Sequence, residues 1–240
     1  MQRAVPLGIF GGTFDPVHIG HLRGAEEVAE LLGIERVLFV PTGFAKHKEL
    51  ASLASPEDRL TMLELAVASN PRFGVLRYEI EHPEHASYTY YTLKHLHETV
   101  LSSGQKPFLI LGEDAFAGFP KWHRFQEVLE MCHIAVMARP PIGLPSIPAA
   151  LKGLESQAVS SEVLHVRLQS GNGLYECRVT PLDISSSRVR ERCLTGRSVR
   201  YLVPEEAFRF IQERGLYRKP LNPQRNPTQK EAEWDFKRTP

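Results

Sequence analysis

The chain has 240 residues, of which 42% are hydrophobic and 24% charged, and its 29 lysines and arginines nearly balance its 28 acidic residues. This composition is typical of a globular protein with a sizeable core, and the net charge of +1 points to neither a nucleic-acid nor a membrane-surface partner. No apolar run is long enough for a membrane span, and the stretch before Gly11 is too short for a signal peptide.

The cysteines are odd in number and far apart in sequence: Cys132, Cys177 and Cys193. Such a set predicts neither a disulfide framework nor a paired metal site. We therefore expect free thiols and a reducing, cytoplasmic location.

Short apolar strands and amphipathic helices alternate in the first part of the chain. Val5–Phe10 predicts a strand, and apolar residues at helical spacing predict a helix after it that ends at Gly33. Arg36–Val40 predicts a second strand. Ser55 followed by Pro56 predicts the start of the next helix, because serine caps helices and proline suits their first position.

The alternation continues towards the middle of the chain. Phe73–Ile80 predicts a strand, and Ser87 is a candidate cap for a helix after it. Pro107–Gly112 is a continuous apolar run, as in strands buried on both faces of a parallel sheet. Trp122–Met131 predicts a helix, and the apolar run His133–Arg139 predicts another strand.

The last part of the chain is less regular. A proline-rich loop covers residues 139–148, and the residues between 149 and 175 allow no firm assignment. Tyr175–Val179 predicts a late strand, and Ser187–Leu194 and Glu205–Arg214 predict helices.

Together these elements predict an α/β fold of Rossmann-like type: an open, mostly parallel sheet with helices on both faces. We expect one domain over residues 1–218. The polar, proline-punctuated residues 219–240 are expected to be a disordered tail.

The segment "GIFGGTFDPVHIGH" joins the first strand to the first helix. Gly11 and Gly12 let the backbone bend and approach a ligand, and the helix from Ile19 offers free N–H groups to an anion. His18 and His21 are three residues apart and can face one site. We interpret the segment as a phosphate site, although it has neither of the common nucleotide motifs, GxGxxG and the P-loop. A tight turn beside two surface histidines is the alternative.

The stretch "GGTFDPVHIGH" resembles the GGTFDPxHxGH signature of the nucleotidylyltransferase superfamily, and most of all that of bacterial nicotinate-nucleotide adenylyltransferases. The resemblance implies contacts with ATP for six residues of the stretch: Gly11, Gly12, Thr13, Phe14, His18 and His21. It also implies a place beside nicotinate mononucleotide for Asp15.

A second motif, "DISSSRVRERC", puts serines and arginines at a predicted helix start, where hydroxyl, N–H and guanidinium groups can hold a polyphosphate. An ordinary serine cap followed by solvated arginines is the alternative. The motif resembles the ISSTxxR signature of the same superfamily, which implies that Ser186, Ser187 and Arg190 bind ATP phosphates. Ser187 stands where the signature often has threonine and keeps the hydroxyl group.

Two further stretches lie after predicted strands. "SYTYYTL" alone predicts only a helix start, but it resembles the SYTxxTL element of the family, which implies that Thr89 helps to hold the pyridine carboxylate. In "GEDAFAGFPKWH", Asp114 is either a ribose ligand or a helix cap. Trp122 either offers a flat surface for stacking or belongs to the core. The stretch resembles the family's GxDxxxxxxxWH element, which implies that Asp114 binds the nucleotide sugar and Trp122 stacks on nicotinate.

Two weaker matches concern single basic residues. "KHK" resembles the family's Pro-His-Lys and implies that Lys48 contacts ATP phosphates, although Lys46 departs from the pattern. Arg139, at a predicted strand end, resembles the family's arginine before proline or glycine, which implies a place near the adenosine.

The resemblance extends from Gly8 to Tyr217. It implies transfer of AMP from ATP to nicotinate mononucleotide, giving deamido-NAD and pyrophosphate, with Mg²⁺ bound mainly through the ATP phosphates. His18, His21 and Arg190 are the implied catalytic residues, and no general base is needed because the attacking phosphate is already an anion. The alternatives are a related adenylyltransferase, of the pantetheine-phosphate type or using NMN, and a nucleotide-binding module without chemistry. The sequence predicts no oligomeric state.

Overall fold

The computed structural model describes residues 5–43, 54–85, 87–138 and 156–218. Four sequence predictions therefore lie outside the described residues: the roles of Lys48 and Arg139, the proline-rich loop over 139–148, and the disordered tail over 219–240.

In the described ranges, eight strands form one sheet. They are β1 (Leu7–Gly12), β2 (Arg36–Pro41), β3 (Phe73–Val75), β4 (Phe108–Gly112), β5 (His133–Ala138), β6 (Ser156–Ala158), β7 (Val163–Arg167) and β8 (Gly173–Arg178). The order across the sheet is β3-β2-β1-β4-β5-β8-β7-β6. The first six of these strands run parallel, while β7 is antiparallel to both β8 and β6. The predicted open, mostly parallel sheet is confirmed.

The described helices cover both faces of this sheet. They are α1 (Ile19–Leu32), α2 (Pro56–Val67), α3 (Tyr78–Glu81), α4 (Thr89–Thr99), α5 (Glu113–Ala117), α6 (Phe125–Met131), α7 (Ser186–Leu194) and α8 (Glu205–Arg214), with one 3-10 turn at Phe119–Lys121. One core cluster joins the sheet to α1, α2, α7 and α8, and the other joins it to α4, α5 and α6. No helix in the described ranges has the length and apolar character needed to cross a bilayer.

Strand β1 shows why the central strands are apolar throughout. Ile9 belongs to the core cluster on one face of the sheet and Phe10 to the cluster on the other. A strand with helices on both faces has no polar side, so it reads as an uninterrupted apolar run. The same holds for β4, where Leu109 and Ile110 enter opposite clusters.

The predicted helix boundaries are confirmed where they depend on local chemistry. Gly33 ends α1 with a φ of 64°, in the left-handed region that glycine adopts without strain. Ser55 caps α2, because its Oγ accepts a hydrogen bond from the backbone N–H of Asp58 at 3.0 Å.

Two predictions between residues 73 and 89 are wrong. Only Phe73–Val75 of the predicted strand Phe73–Ile80 is a strand, because β3 lies at the edge of the sheet and pairs with β2 alone; the chain then turns into α3. Ser87 is not the cap of α4, which Tyr88 precedes. The Ser87 Oγ instead accepts a long-range hydrogen bond from the backbone N–H of Gly43 at 3.0 Å.

The predicted helix Trp122–Met131 is wrong in its first turn. Arg124 has a φ of 54°, which is incompatible with a helix, so α6 begins only at Phe125. The described residues between 156 and 175 supply β6, β7 and the start of β8. Strands β7 and β6 extend the parallel sheet in antiparallel fashion.

The three cysteines all lie in the described ranges. Cys132 and Cys177 are buried and Cys193 is half-buried, and none of them is disulfide-bonded.

Candidate active site

Two adjoining cavities open at the carboxyl ends of the central strands. The chain order of the strands reverses between β1 and β4, and ligands of open α/β sheets bind at such a point. The first cavity, of about 420 Å³, is lined by His18 and His21 and is called the histidine cavity. The second, of about 810 Å³, is lined by Trp122 and is called the tryptophan cavity. Gly112 and Ala115 line both cavities, so two ligands there would meet at the end of β4.

Helix α1 brings its two histidines together at the wall of the histidine cavity. His18 precedes the helix in an extended conformation, and its ring stacks on that of His21 with 3.6 Å between centroids. A side chain at Gly20 would lie 3.1 Å from Nδ1 of His18, so the glycine between the histidines leaves room for this stack.

The hydrogen bonds of His21 determine which nitrogen faces a ligand as a donor. The backbone N–H of His18 donates to Nδ1 of His21 at 3.1 Å. A neutral His21 ring therefore carries its proton on Nε2. Burial, and after it the neighbouring His18, lower the pKa of His21 well below its ordinary value of 6.5. His21 is thus a neutral hydrogen-bond donor at physiological pH.

An NMR titration of the His21 ring tests this protonation state. A group whose pKa is lowered by folding stays neutral as the pH falls through its ordinary value. We expect the His21 ring signals to show neutral imidazole with Nδ1 unprotonated at pH 6.5. An imidazolium signal from His21 at pH 6.5 would contradict the assignment.

A second helix begins at the same cavity. Ser185 caps α7, with its Oγ accepting from the backbone N–H of Arg188 at 3.3 Å, and Ser186 lines the histidine cavity beside the histidines. The Oγ of Ser186 donates to the carbonyl oxygen of Pro16 at 2.9 Å. This bond ties α7 to residues 11–18, which we call the glycine-rich loop. The amino-terminal ends of α1 and α7 both face this cavity, and their dipoles favour an anion.

Arg190 and Ser187 line neither of the two cavities. Nη1 of Arg190 donates to the carbonyl oxygen of Asp15 at 2.6 Å, and Nη2 donates to Oγ of Ser187 at 3.2 Å. The Asp15 carboxylate is buried, and its Oδ1 accepts from the backbone N–H of Ala54 at 3.0 Å and from the Tyr217 hydroxyl at 2.7 Å. The structure therefore joins Arg190, Ser187 and Asp15 in one network of polar contacts.

The side chain of Phe14 also lies beneath the loop. Phe14 has a φ of 48°, and its ring packs against Phe10, His21 and Phe39 with 5.1–5.7 Å between centroids. The side chains of Phe14 and Asp15 thus line neither cavity, and only their backbone can meet a ligand. The sequence shows no difference between these buried residues and the exposed ones of the motif.

Thr89 and Trp122, which are 33 positions apart in sequence, line the tryptophan cavity together. Thr89 is the first residue of α4, so free N–H groups of that helix end face the cavity. Trp122 is half-buried and packs edge-to-face on Phe119 with 5.2 Å between centroids. Lys121, which sequence reasoning missed, adds a cation to the same cavity. Gly11, Gly12 and Thr13 of the glycine-rich loop form another side of this cavity.

Asp114 lies in sequence between Gly112 and Ala115, the two residues that line both cavities. It belongs to α5, which begins directly after β4, and it lines the histidine cavity with Glu113. Gly112 is the residue that precedes the helix, so Asp114 is not its cap and its carboxylate is exposed.

Comparison with known proteins identifies the family. Residues 9–192 match the cytidylyltransferase-like family. A relative from Pseudomonas syringae pv. tomato, a probable nicotinate-nucleotide adenylyltransferase, is 40% identical over 214 residues, which cover 89% of this chain and 94% of the relative. The chain belongs to the nicotinate-nucleotide adenylyltransferase family. A family member from Dechloromonas aromatica is 38% identical over 215 residues, or 89% of this chain and 98% of its own length.

Solved structures share the fold of this family member. The nicotinic acid mononucleotide adenylyltransferase of Plasmodium falciparum, complexed with NaAD, superposes with a TM-score of 0.65 at 17% identity, covering 88% of this chain and 97% of that one. The same protein complexed with APC gives a TM-score of 0.64. At this level of identity the likeness concerns the fold alone.

A buried arginine, which sequence reasoning missed, holds the glycine-rich loop in place. Arg59 on α2 is 4% exposed. Its Nη1 donates to the carbonyl oxygen of Thr13 at 2.8 Å and its Nη2 to that of Gly43 at 3.2 Å. Burial lowers the pKa of Arg59, and the charge of Asp15 opposes that shift. The guanidinium thus ties the glycine-rich loop to the segment after β2. It also adds positive charge near the buried Asp15 carboxylate, whose Oδ2 lies 3.5 Å from Nη1 of Arg190.

Glu79 was also missed, because its segment reads as a strand. It lines the tryptophan cavity, and its Oε1 accepts from the hydroxyl of Thr92 at 2.9 Å. Burial raises the pKa of Glu79, although hydrogen bonds from Thr92, Ser87 and Gly43 oppose this shift. Ser87 and Thr92 lie on either side of the first residue of α4, so Glu79 fixes the helix end that carries Thr89.

Proposed function

We propose that this chain transfers AMP from ATP to nicotinate mononucleotide and releases pyrophosphate, forming deamido-NAD for NAD biosynthesis. The observation that carries the proposal is the pair of cavities that meet at Gly112. One has two helix ends and two histidines, which suit a polyphosphate. The other has a helix end, a lysine and a tryptophan, which suit an aromatic carboxylate.

We assign the histidine cavity to ATP and the tryptophan cavity to nicotinate mononucleotide. In this arrangement Asp114 binds the ribose hydroxyls of ATP, Thr89 meets the pyridine carboxylate, and Trp122 stacks on the pyridine ring. Gly11, Gly12 and Thr13 lie between the two reacting phosphates.

The transfer needs little acid–base chemistry. An oxygen of the mononucleotide phosphate attacks the α-phosphorus of ATP, the bond to the β-phosphate oxygen breaks, and pyrophosphate leaves with the electron pair. The attacking phosphate is already ionised, so the protein contributes position and charge stabilisation. Neutral His21 donates from Nε2 to the reacting phosphate, and His18 also stabilises the charge that develops on the reacting phosphates. The ends of α1 and α7 stabilise the triphosphate.

Arg190 and Ser187 require a rearrangement to touch the triphosphate, because both line neither cavity. In the proposed complex Arg190 exchanges its bond to the Asp15 carbonyl for the β- and γ-phosphates. The side chains of Asp15 and Phe14 act by positioning the loop, and their backbone alone meets the ligands.

Mg²⁺ is proposed to neutralise the phosphate charge of ATP. The described ranges contain no group of three or more His, Cys, Asp or Glu side chains that could hold a metal. A hard cation that keeps most of its water needs few protein ligands, so we assign it to the phosphate oxygens of ATP.

The cellular setting and domain structure follow from simpler observations. We propose a cytoplasmic protein, because all three thiols are free. We also propose that residues 1–218 form one domain, since a single sheet contains strands from residue 7 to residue 178.

The purified protein, ATP, Mg²⁺ and either nicotinate mononucleotide or NMN provide the test, with pyrophosphate release as the readout. Fast release with the acid and slow release with the amide supports the proposal. Equal rates would retain the chemistry but remove the carboxylate-specific cavity. Release with neither substrate, despite ATP binding, would refute the proposed reaction.

The stacking role of Trp122 has its own test. Trp122→Ala is expected to raise KM for nicotinate mononucleotide about tenfold or more, since stacking on a base contributes about 1–3 kcal/mol. KM for ATP should change little. Trp122→Phe keeps an aromatic face and should lie between the alanine variant and the wild type. An unchanged KM for the mononucleotide in the alanine variant would place the ring elsewhere.

A further inference from the structure

The histidine cavity extends along α1, and its two ends differ chemically. His18, His21 and Ser186 line the end at the start of the helix. Further along α1, Met137 and Thr180 line the cavity, and Thr180 is in contact with Glu27. Glu27 follows His18 by nine positions, which corresponds to a rise of about 13 Å along α1 at 1.5 Å per residue.

These ends match the two parts of a nucleoside triphosphate. The donors and helix ends at one side suit the phosphate chain, while the side with Met137 and Leu182 offers an apolar surface to a base. Under the proposed function, on which this inference rests, the adenine of ATP therefore lies beside Thr180.

The segment that carries Thr180 has no regular structure of its own. It connects β8 to α7 through residues 179–185, which are neither helix nor strand. Its position must therefore come from contacts with other elements. The backbone N–H of Thr180 donates to Oε2 of Glu27 at 2.6 Å, and the Thr180 hydroxyl donates to Oε1 at 2.5 Å.

Glu27 is itself held in place. It is 8% exposed, and Nε of Arg23, one turn earlier on α1, donates to its Oε1 at 2.7 Å. Burial alone would raise the pKa of Glu27, but the hydrogen bonds from Thr180 and Arg23 outweigh it and lower the pKa. The carboxylate is ionised at neutral pH and can only accept.

This arrangement limits what Thr180 can offer to a ligand. Its N–H and its hydroxyl proton are both directed to Glu27, so its remaining hydrogen-bonding groups are acceptors: the carbonyl oxygen and the lone pairs of the hydroxyl oxygen. An acceptor pairs with the 6-amino group of a purine and disfavours a 6-oxo group.

We propose that Glu27 is a positioning residue for ATP: it fixes the 179–185 segment through Thr180, keeps Thr180 an acceptor, and so selects a 6-amino purine at the base end of the histidine cavity. It does not touch the substrate.

The test compares ATP with ITP, which carries a 6-oxo group, in the full-length protein. Glu27→Gln replaces one acceptor oxygen by a donor and is expected to raise KM for ATP about tenfold or more, as for loss of a charged hydrogen bond. KM for nicotinate mononucleotide should stay within about twofold, and the preference for ATP over ITP in kcat/KM should fall about tenfold. Glu30→Gln, an exposed position on the same helix, is the matched control.

Two further variants separate positioning from stability. Thr180→Val removes the hydroxyl and should weaken ATP binding, while Thr180→Ser keeps it and should restore the wild-type preference. Two results with Glu27→Gln would overturn the proposal. One is an equal loss of kcat/KM for ATP and for ITP; the other is an equal rise of KM for ATP and for nicotinate mononucleotide together with a lower Tm. Calorimetric titration with a non-hydrolysable ATP analogue measures the same effect without turnover. An inactive wild type that still binds this analogue more tightly than Glu27→Gln would refute the proposed function but not this inference.

Discussion

His21→Ala is expected to lower kcat for AMP transfer at least ~100-fold, which is the usual loss when one preorganised donor to a developing charge is removed. His21 is placed for this role by two contacts: the stack on His18 with 3.6 Å between ring centroids, and the hydrogen bond from the His18 N–H to its Nδ1. These contacts leave Nε2–H as the donor towards the cavity. The measurement is steady-state pyrophosphate release at saturating concentrations of both substrates.

A glutamine variant provides the comparison for this experiment. His21→Gln keeps an N–H donor on a flexible side chain, so it should recover part of the lost rate. Binding of a non-hydrolysable ATP analogue should change far less than kcat, because the interaction strengthens at the transition state. Turnover near the wild-type level in His21→Ala would rule out this role.

Arg59→Met is expected to lower the free energy of unfolding by about 3 kcal/mol, because it leaves two carbonyl oxygens without their donor and removes one of the cations that stabilise a nearby buried carboxylate. The carbonyl groups are those of Thr13 and Gly43, and the carboxylate is that of Asp15. Methionine keeps most of the volume of the side chain, so the loss reports the polar contacts. Urea denaturation of the two proteins measures the difference.

An exposed arginine serves as the control for the buried one. Arg77 pairs with Glu64 on the surface, with its side chain 53% exposed. Arg77→Met should therefore cost about 0.5 kcal/mol or less. Similar losses of unfolding free energy in Arg59→Met and Arg77→Met would show that Arg59 does not anchor the glycine-rich loop.

The sequence predicted the parts of the fold that depend on local chemistry. Gly33 and Ser55 mark helix ends because a left-handed glycine and a serine cap act on their immediate neighbours. The continuous apolar run of β4 reports burial on both faces. The errors at Phe73–Ile80 and Ser87 arise because edge pairing and the long-range contact with Gly43 decide those positions.

The candidate site divides in the same way. The motifs contained His18, His21, Thr89 and Trp122, and the topology brings their segments to one edge of the sheet. Arg59 could not be found, since it acts on Thr13 across 46 positions. Glu27 acts across 153 positions on Thr180, and nothing in its helical pattern distinguishes it from a solvated glutamate.

Transfer of label from ATP carrying an isotope in its α-phosphate tests the central claim most directly. The purified protein is incubated with labelled ATP, Mg²⁺ and nicotinate mononucleotide, and the products are separated and counted. The two-cavity arrangement predicts that the label appears in deamido-NAD in a one-to-one ratio with unlabelled pyrophosphate. Two results would contradict the assignment of the tryptophan cavity to the acceptor. In one the label is found only in free AMP; in the other it stays in ATP although nicotinate mononucleotide is bound.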